Sequence, residues 1–567
     1  MPPRFSNELI KRIIFPEWRG DAPRTSPCEA NCPAGNPIQK INALIQEDRI
    51  EEALAFLRSR NPFAGITGRV CAHPCEGVCN RNAYDEGLAI RSLERFAADH
   101  ADLTCGSQPK RAKSTGKKVA IIGSGPAGMT CAYFSALLGH AVTVFESSTT
   151  LGGIPRTAIP DFWLPKDIVE REIRQILELG VRAQTNTAVG RDIAFNKILK
   201  EHDACLIAVG ASQERGLDIP GAEMMVPAIS FLKRVNFGQR DGIGGRVVIV
   251  GGGGVAFDCA FTAKRLGAAE VHIVCVEGQD CMCAPPQEIS KADAEGIRVH
   301  NSKMIASVLN KDGKPTAIEY YEISAFEFDE ECRLSVQPVS GEKKRLEADF
   351  VISAVGGKPD LTFIGNNNKF EFAPNATLIV NPQTMAASID KVFAAGDVVS
   401  GPSTVAQAVG SGRKAAMAIN RYLSASRFSE FESVIINKTG QVTTGETADK
   451  FDPHVVTYDE ILNVDYHEKK ARQTTKKLSA QASVHSFEEM DKGFEKDRAM
   501  AEAGRCLHCG HCTACGCCVE DCPGLILAME SQGPQVIYPD ECWHCGCCRI
   551  ACPSSAVLYE FPLNMRV

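Results

Sequence analysis

The sequence has no apolar run of the roughly 18 residues that a membrane-spanning helix needs. Its first residues, MPPRFSNELIKR, contain no apolar core of the kind that a secretory signal peptide carries. It also has no block of basic residues, and 62 Lys and Arg against 69 Asp and Glu leave a formal net charge of −7, which disfavours nucleic acid as a partner. We therefore expect a cytoplasmic globular protein without a membrane span.

Cysteine, by contrast, is abundant and unevenly distributed. Of 25 cysteines, five lie in residues 28–79, twelve in 506–552 and eight in the stretch between, in a chain of 567 residues that is long enough for three to four domains. A secreted disulfide framework would need an export signal and would leave one cysteine over. Cysteines gathered at both ends of a cytoplasmic chain instead indicate metal ligands, and iron–sulfur clusters in particular.

Two matching cysteine runs near the C-terminus are the most specific pattern. The run Cys512-x2-Cys515-x2-Cys518-x3-Cys522-Pro523 recurs at residues 542–553. In bacterial two-cluster ferredoxins the fourth cysteine of each such run binds the other cluster. A pair of structural zinc sites is the weaker alternative, because it does not explain a proline after each last cysteine. We assign one 4Fe–4S cluster to Cys512, Cys515, Cys518 and Cys552, and the other to Cys542, Cys545, Cys548 and Cys522.

Two dinucleotide-binding patterns lie between the cysteine-rich ends. The first is KKVAIIGSGPAGMTCAYFSALLGHAVTVF at 117–145, in which an apolar strand leads into Gly123-x-Gly125-x-x-Gly128, a helix and a second strand that ends at Glu146. The second is RVVIVGGGGVAFD at 246–258, followed by a strand that ends at Glu277. The glycines permit a tight turn and close approach of a pyrophosphate, and the acid accepts hydrogen bonds from ribose hydroxyls. Two such units in one chain predict two dinucleotides, one of which would be a flavin and the other a nicotinamide.

Over roughly residues 25–425 the chain resembles the flavoprotein small subunit of glutamate synthase and its relatives. The resemblance rests on GSGPAGM, GGIPRTAIPDFWLPKDIVEREI, GGGGVAFDC and VFAAGDVVSGPSTVAQAVGSGRKAA. In that family the first nucleotide fold binds FAD and the second is inserted within it and binds the nicotinamide. The resemblance implies FAD at Gly123, Gly125, Pro126, Gly128, Glu146, Gly153, Gly396 and Asp397. It implies the nicotinamide dinucleotide at Gly251, Gly253 and Ala256. Glu277 at the end of the second strand is expected at the ribose from the strand-end pattern itself.

One departure from the family bears on the nicotinamide cofactor. Relatives that use NADPH carry Tyr-Arg-Arg at the end of the second strand, where this chain has Cys275-Val276-Glu277. A carboxylate repels a 2′-phosphate and suits a free 2′-hydroxyl, so we predict NADH over NADPH. The alternative is that Glu277 is an ordinary solvated loop charge.

Disulfide-reductase chemistry is a rival activity for this type of fold. It needs a close cysteine pair against the flavin, and the predicted flavin region offers only the separate Cys131 and Cys205. Cys281-Met282-Cys283 lies in the predicted nicotinamide region and is interpreted as a loop. We therefore disfavour this activity.

The N-terminal cysteines resemble the helical iron–sulfur domain that precedes the same flavoprotein fold, which is also found in dihydropyrimidine dehydrogenase. That domain uses an upstream C-x2-C pair that this N-terminus lacks, whereas EAGRCLHCG near the C-terminus supplies one. We predict that the chain folds back, so that Cys506 and Cys509 join Cys28 and Cys79 on one cluster; the alternative is that they are simple flanks of the ferredoxin runs. Cys32, Cys71 and Cys75 would hold another cluster, with Glu94 of the following helix as its fourth ligand. The alternative is that Glu94 is an ordinary exposed helix charge.

These patterns predict a multidomain α/β chain with a helical N-terminal iron–sulfur domain, two Rossmann-like domains and a C-terminal α+β ferredoxin domain. The predicted boundaries are 1–115 for the helical domain, 116–225 with 345–425 for the FAD domain, 226–344 for the NAD(H) domain, 426–505 for a linker with a helix, and 506–567 for the ferredoxin domain.

We expect an oxidoreductase that moves electrons between NADH and a partner redox protein, through FAD and four 4Fe–4S clusters, as one subunit of a hetero-oligomer. A flavin is needed because nicotinamides exchange two electrons and clusters one. The resemblance extends to relatives with a fused ferredoxin domain, such as subunits that serve dissimilatory sulfite reductase or 2-oxoacid:acceptor oxidoreductases. The alternatives are a glutamate synthase small subunit that uses NADPH and a non-catalytic electron-wiring subunit.

Overall fold

A computed structural model of the protein describes residues 24–101, 109–329, 334–365, 369–424, 454–531, 533–538 and 541–557, together with the backbone of strands in 432–436 and 442–446. All predicted site residues lie within these ranges. No helix in this described part of the chain is long and apolar enough to cross a membrane.

The N-terminal region is a cluster of short helices. In the second of them Ile38, Ile41, Leu44 and Ile45 recur at helical spacing and are all buried, which packs one face of the helix into a core shared by the whole region. Its elements are β1 (Arg24–Thr25), α1 (Pro27–Ala30), α2 (Ile38–Gln46), α3 (Ile50–Arg58), α4 (Ala64–Val70), α5 (Pro74–Gly77) and α6 (Ile90–His100).

The first nucleotide pattern begins a parallel sheet. Its first strand is buried at four consecutive positions, as expected of a central strand with helices on both faces. The elements are β2 (Lys118–Ile122), α7 (Pro126–Leu137), β3 (Ala141–Phe145), α8 (Ile154–Thr157), α9 (Lys166–Glu178), β4 (Arg182–Gln184), α10 (Phe195–Glu201), β5 (Ala204–Ile207) and β6 (Gln213–Glu214).

The second nucleotide pattern lies in an inserted unit with its own five-stranded parallel sheet in the order β10-β9-β8-β15-β7 and an antiparallel sheet of β11 to β14. The elements are β7 (Val226–Pro227), α11 (Ala228–Asn236), β8 (Arg246–Val250), α12 (Gly254–Arg265), β9 (Glu270–Val274), α13 (Pro286–Ala294), β10 (Ile297–His300), β11 (Lys303–Lys311), β12 (Lys314–Phe328), β13 (Leu334–Pro338), β14 (Lys344–Glu347) and β15 (Phe350–Ser353).

The chain then returns to the first sheet through β16 (Gly357–Lys358), β17 (Val392–Ala394), α14 (Asp397–Ser400) and α15 (Val405–Ser424). That sheet is parallel, in the order β17-β5-β2-β3-β4. The pairing moves one predicted boundary: β15 is hydrogen-bonded to β8, so residues 345–353 belong to the inserted unit and the second flavin segment begins after them. The β6–β16 pair joins the two strands that leave and re-enter the flavin unit.

The C-terminal part wraps back over the N-terminal helices. Strand β20 pairs in parallel with β1, and β21 and β22 form an antiparallel hairpin between the two cysteine runs. The elements are β18 (Glu432–Ile436), β19 (Val442–Glu446), β20 (His454–Val455), α16 (Ala480–Ser483), α17 (Lys496–Ala503), α18 (Cys517–Glu520), β21 (Leu527–Glu530), β22 (Gly533–Val536) and α19 (Cys547–Ala551). Residues 454–505 are therefore fixed to the body of the molecule along much of their length.

Candidate functional site: a nucleotide cavity and four cysteine-lined cavities

The first glycine turn connects β2 to α7. Gly123 has a φ of +102°, and a Cβ there would lie 2.3 Å from the carbonyl oxygen of Ala208; a Cβ on Gly128 would lie 2.1 Å from the carbonyl oxygen of Gly123. A Cβ on Gly125, the N-cap residue of α7, would meet no atom within 4 Å. Two of the glycines thus permit close backbone packing, whereas Gly125 leaves open space at the positive end of a helix, where a pyrophosphate binds.

Glu146 follows β3 and faces this turn. Its carboxylate accepts hydrogen bonds from the backbone N–H of Ser124 (3.0 Å), the hydroxyl of Ser124 (2.6 Å) and the N–H of Ser148 (2.8 Å). The acid is therefore held at the edge of the turn in the position from which it would accept hydrogen bonds from a ribose.

These residues line a cavity of about 510 Å³, the flavin cavity. Gly153 and Gly396 both have positive φ values, and a Cβ on Gly153 would lie 2.7 Å from Cα of Gly125. Asp397 accepts a hydrogen bond from Ser403 at 2.6 Å, and burial raises the pKa of its carboxyl group. Of the predicted FAD residues, all but Gly128 line the cavity, namely Gly123, Gly125, Pro126, Glu146, Gly153, Gly396 and Asp397. The volume and the donor set fit a dinucleotide.

Part of the flavin cavity was not predicted. Ile229, Ser230 and Lys233 of α11 line it from the inserted unit. The N-terminus of α11 is positioned by Glu214, whose carboxylate accepts a hydrogen bond from the N–H of Ile229. No motif marks these residues, since they reach the cavity only through the packing of one unit against the other.

The second glycine turn repeats the geometry of the first. Gly251 has a φ of +131°, with a virtual Cβ 2.3 Å from the carbonyl oxygen of Ala354, and Gly253 is the N-cap residue of α12. Ala256 is fully buried. A Cβ on Gly252 would lie 2.6 Å from Oε2 of Glu277, so the carboxylate of Glu277 lies directly against the turn.

The N-terminal cysteines line two cavities, and one of them includes the C-terminal pair. Cys28, Cys79, Cys506 and Cys509 line the first, which we call the Cys506 cavity. The side-chain amide of Gln39 donates to the carbonyl oxygen of Cys509 at 2.7 Å, and that of Asn80 contacts its sulfur at 3.4 Å. The structure thus brings together the four residues that the fold-back prediction named.

Glu94 lies with the other N-terminal cysteines. Cys32, Cys71, Cys75 and Glu94 line one cavity, the Glu94 cavity. The amide of Asn36 donates to Oε1 of Glu94 at 2.8 Å, and burial raises the pKa of that carboxyl group to about 7. Burial also raises the pKa of Cys32 to about 12 and that of Cys71 to about 11. Such thiols would give up their protons only to a strongly cationic ligand.

The ferredoxin region contributes two more cavities. The Cys512 cavity is lined by Cys512, Cys515, Cys518 and Cys552, and the Cys542 cavity by Cys522, Cys542, Cys545 and Cys548. Each therefore takes three cysteines from one run and the fourth from the other. Arg24 joins this region to the N-terminus, because its Nη1 donates to the hydroxyl and carbonyl oxygens of Ser555.

Three C-x2-C loops, those that begin at Cys506, Cys512 and Cys542, share one backbone conformation. Their third residues, His508, Ala514 and His544, all have φ values between +49° and +55°, and the N–H of Ala514 donates to Sγ of Cys512 at 3.4 Å. In the described part of the chain no three His, Cys, Asp or Glu side chains approach closely enough to hold a single metal ion. Four thiols around a small cavity, farther apart than the ligands of one ion, suit a polynuclear cluster.

The cavities follow one another from the flavin cavity outward. In the first turn of α15, Val405 and Ala408 line the flavin cavity and Ala406 lines the Glu94 cavity. Helices α1 and α5 each connect the Glu94 and Cys506 cavities. Cys28 of α1 lines the Cys506 cavity, and Cys32, two residues after the end of α1, lines the Glu94 cavity. Cys75 of α5 lines the Glu94 cavity, and Cys79, two residues after the end of α5, lines the Cys506 cavity. Cys509 and Cys512 then lie three residues apart, and α18 and α19 link the last two cavities.

Two family models match the chain. That of the pyridine nucleotide-disulphide oxidoreductases matches residues 117–412, slightly more than half of the chain. That of dihydropyrimidine dehydrogenase domain II, a 4Fe-4S cluster domain, matches residues 21–104. None of the described residues that line the flavin cavity is a cysteine, so this part of the structure places no dithiol against a flavin.

Three characterised proteins are similar over most of the chain. The NADP(+)-dependent formate dehydrogenase subunit beta of Moorella thermoacetica is 35% identical over 512 residues, which cover 86% of this chain and 70% of that protein. The NADPH-Fe(3+) oxidoreductase subunit beta of Geobacter sulfurreducens is 30% identical over 86% of this chain and 75% of that protein. The glutamate synthase [NADPH] small chain of Escherichia coli is 32% identical over 70% of this chain and 88% of that protein.

The matches and the geometry agree on the type of enzyme. The glycine turns and the flavin cavity lie within the first matched region, and the Glu94 cavity lies largely within the second. The chain belongs to the pyridine nucleotide-disulphide oxidoreductase family, as a glutamate synthase small-subunit-like member with a 4Fe–4S domain, and is an FAD- and NAD(P)-dependent iron–sulfur oxidoreductase subunit.

Proposed function

We propose that this subunit moves electrons between NADH and a partner redox protein through FAD and four 4Fe–4S clusters. The observation that carries the proposal is the unbroken series of cavities from the flavin cavity through the Glu94, Cys506 and Cys512 cavities to the Cys542 cavity. A bound flavin supplies the exchange of two electrons with a nicotinamide and of single electrons with the clusters. The chain's own residues hold these groups in sequence and exclude water from the inner cavities.

Each cluster in this proposal has a defined ligand set. The four cavities supply the ligands Cys32, Cys71, Cys75 and Glu94; Cys28, Cys79, Cys506 and Cys509; Cys512, Cys515, Cys518 and Cys552; and Cys522, Cys542, Cys545 and Cys548. Anaerobically prepared protein should then contain about sixteen iron and sixteen sulfide per chain. NADH should bleach its flavin absorbance. A content near eight iron, or a flavin that NADH leaves oxidised, would contradict the proposal.

Two features support the assignment as a subunit. The similar proteins from Moorella and Geobacter are both named as beta subunits, of a formate dehydrogenase and of an Fe(3+) oxidoreductase. The series of cavities ends in the ferredoxin region, where Cys545 is exposed, and a cluster near the surface suits exchange with another protein. The partner is defined here only by that chemistry: a redox protein that exchanges single electrons.

The preference for NADH rests on Glu277. Its carboxylate lies against Gly252 in the second turn, where it would accept hydrogen bonds from a free 2′-hydroxyl and repel a 2′-phosphate. The three similar proteins are named for NADP(+) or NADPH, so this chain would differ from them in its preferred nicotinamide.

The first test compares NADH and NADPH with ferricyanide as the acceptor. Wild-type protein should have the higher kcat/KM for NADH, and Glu277→Ser should lower that value about tenfold or more, because a hydrogen bond to a charged group contributes about 1.5–3 kcal/mol. Asp280→Ser, an exposed acid of the same loop, is the matched control and should leave kcat/KM unchanged. A wild-type preference for NADPH would refute the assignment.

A further inference from the structure

The ferredoxin region carries unusually large exposed apolar side chains. Within residues 506–557, Leu525, Met529, Ile537, Tyr538, Trp543 and Ile550 are all more than a third exposed. Three of them lie close together in the chain fold beside the Cys542 cavity: Leu525 is 73% exposed, Trp543 66% and Tyr538 55%. We call these three residues the Trp543 face.

The three residues lie on neighbouring stretches of the chain. A Cβ on Gly524, the neighbour of Leu525, would lie 3.6 Å from Nε1 of Trp543. The N–H groups of Ile537 and Tyr538 both point to the carbonyl oxygen of Ile526, at 2.8 and 3.4 Å, which brings Tyr538 beside the backbone that follows Leu525. Exposed apolar residues that cluster in this way mark interaction sites more often than single ones do.

Leu525 is held outward by a backbone conformation that a leucine seldom adopts. Its φ is +51°, in the left-handed region that is unfavourable for residues with a Cβ. A hydrogen bond from its N–H to the carbonyl oxygen of Cys522 (3.0 Å) fixes the turn. The fold thus keeps an apolar side chain in solvent, although burying it would be more favourable for this subunit alone.

The Trp543 face lies at the outer end of the series of cavities. Trp543 itself lines the Cys542 cavity, together with Pro523 and the exposed Cys545. That cavity is the farthest from the flavin cavity along the chain of shared elements. A protein seated on this face would be placed beside the last proposed cluster.

The rim of the face is acidic. Among the described residues of 512–557 the only cationic side chain is Arg549, whose guanidinium donates to the carbonyl oxygen of Glu460 at 2.8 Å. The described acidic side chains of this stretch, Glu520, Asp521, Glu530 and Glu541, are all exposed. Two of them adjoin the Cys542 cavity, because Asp521 precedes its lining residue Cys522 and Glu541 precedes Cys542. An apolar centre with a negative rim complements an apolar centre with a basic rim.

We propose that the Trp543 face is the docking surface for a redox partner protein whose own redox centre lies beneath an apolar patch with a basic rim. This inference rests on the proposed function, because it requires a cluster in the Cys542 cavity. It adds the surface, the charge of the partner and the residues that recognise it.

The test uses cytochrome c as the probe, because it is a basic protein with an exposed haem edge. Protein reduced with dithionite and desalted is mixed with oxidised cytochrome c in a stopped-flow instrument, so that NADH takes no part. The second-order rate constant should fall as salt rises, and the double variant Leu525→Lys/Tyr538→Lys should lower it at least tenfold at low salt. Neither residue lines a cavity, so iron content and NADH:ferricyanide activity should remain at the wild-type level.

The matched control is Phe328→Lys/Val339→Lys, which adds the same two charges at exposed apolar positions (60% and 63% exposed) of the inserted unit. It should leave the rate constant unchanged. Two results would refute the docking surface: oxidation of the double variant by cytochrome c at the wild-type rate, or an equally large decrease of the rate constant in the control. Failure of NADH to reduce the wild-type flavin would instead refute the proposed function, and the cytochrome c measurement distinguishes the two.

Two other occupants of the face give different results. If a second copy covers it, light scattering will find a wild-type dimer that the double variant converts to a monomer. If residues 558–567 of the same chain cover it, deleting them will raise the rate constant for cytochrome c in the wild-type background. Either result would overturn the proposal.

Discussion

Buried ionisable side chains are concentrated where the helical region meets the flavin unit. Glu94 and Glu172 both have a pKa raised to about 7, and for each the main cause is burial. Glu94 lies among the cysteines of its cavity, whereas Glu172 of α9 accepts hydrogen bonds from the N–H groups of Gly65 (2.6 Å) and Ile66 (3.1 Å) in α4. One acid is thus part of a candidate metal site, and the other attaches the helical region to the flavin unit.

Glu172 should make stability depend on pH. The folded-state pKa is raised from 4.5 to about 7, so the folded protein binds the proton more tightly than the unfolded chain. The contribution of Glu172 to the free energy of unfolding is fully present below about pH 4.5 and is lost as the pH rises through about 7. The total loss is about 3 kcal/mol. Glu172→Gln mimics the protonated acid, so the melting temperature of the wild type relative to this variant should decrease by several degrees between pH 5 and pH 8.

Glu201→Gln, at an exposed acid of α10, is the control for that experiment. Its melting temperature should differ from that of the wild type by the same amount at every pH from 5 to 8. A wild-type melting temperature that keeps a fixed offset from Glu172→Gln at every pH would show that the carboxyl group titrates normally in the fold.

At the scale of elements, the segment from β20 to α17 connects parts of the chain that are far apart in sequence. Arg69 and Arg95 of the helical region both pair with Glu489, at 2.7 and 2.9 Å. On the other side of the segment, the hydroxyl of Ser483 donates to Glu295 at 2.9 Å. The segment therefore clamps the nicotinamide unit to the helical iron–sulfur region.

The ion pair beneath this clamp is fully buried. Arg265 and Glu295 are 2.9 Å apart with side chains 0% exposed, and the guanidinium also lies over the ring of Phe162. Glu295→Met should lower the free energy of unfolding by about 3–5 kcal/mol, because it leaves a buried cation without its partner. The double variant Arg265→Met/Glu295→Met should recover most of that loss. Thermal unfolding of the two variants checks this, and equal losses in both would contradict it.

The fold-back of the C-terminal cysteine pair is tested by iron content. Cys506→Ala should remove about four iron per chain, since Cys506 lines a cavity with Cys28, Cys79 and Cys509. Cys517→Ala is the matched control, because Cys517 precedes a proposed ligand and lines none of the four cavities. Iron at the wild-type level in Cys506→Ala would argue that the pair has no part in cluster binding.

What could be predicted from the sequence depended on the distance between interacting residues along the chain. The first glycine turn and the first three cysteines of each ferredoxin run follow from spacings of two to five residues. The fourth cysteine of each ferredoxin cavity comes from the other run, and the recurrence of the run in the sequence indicated that exchange. The pairing of Cys506 with Cys28 needed a family resemblance. The clamp at Glu489 and the contribution of Lys233 to the flavin cavity had no local signal, because both arise only when separate units pack together.

The same limit applied to the domain boundary near residue 345. An apolar strand such as β15 carries no mark of which sheet it will join. It pairs with β8, while β17, some forty residues later, pairs with β5. Both are short apolar strands, so the choice of neighbour is made by the tertiary fold.

Across the whole molecule, the order of the cavities predicts which clusters must be present for electrons from NADH to reach the others. Cys32→Ala disrupts the Glu94 cavity, the one that shares α15 with the flavin cavity, so NADH should still bleach the flavin but should no longer give the electron paramagnetic resonance signals of the other clusters. Dithionite should still reduce those clusters, which shows that they are present.

Cys545→Ala is the matched control at the far end: it should remove only the signal of the last cluster and leave the other three reducible by NADH. Reduction of the outer clusters by NADH at the wild-type rate in Cys32→Ala would mean that electrons leave the flavin by another route, and the proposed order would be wrong.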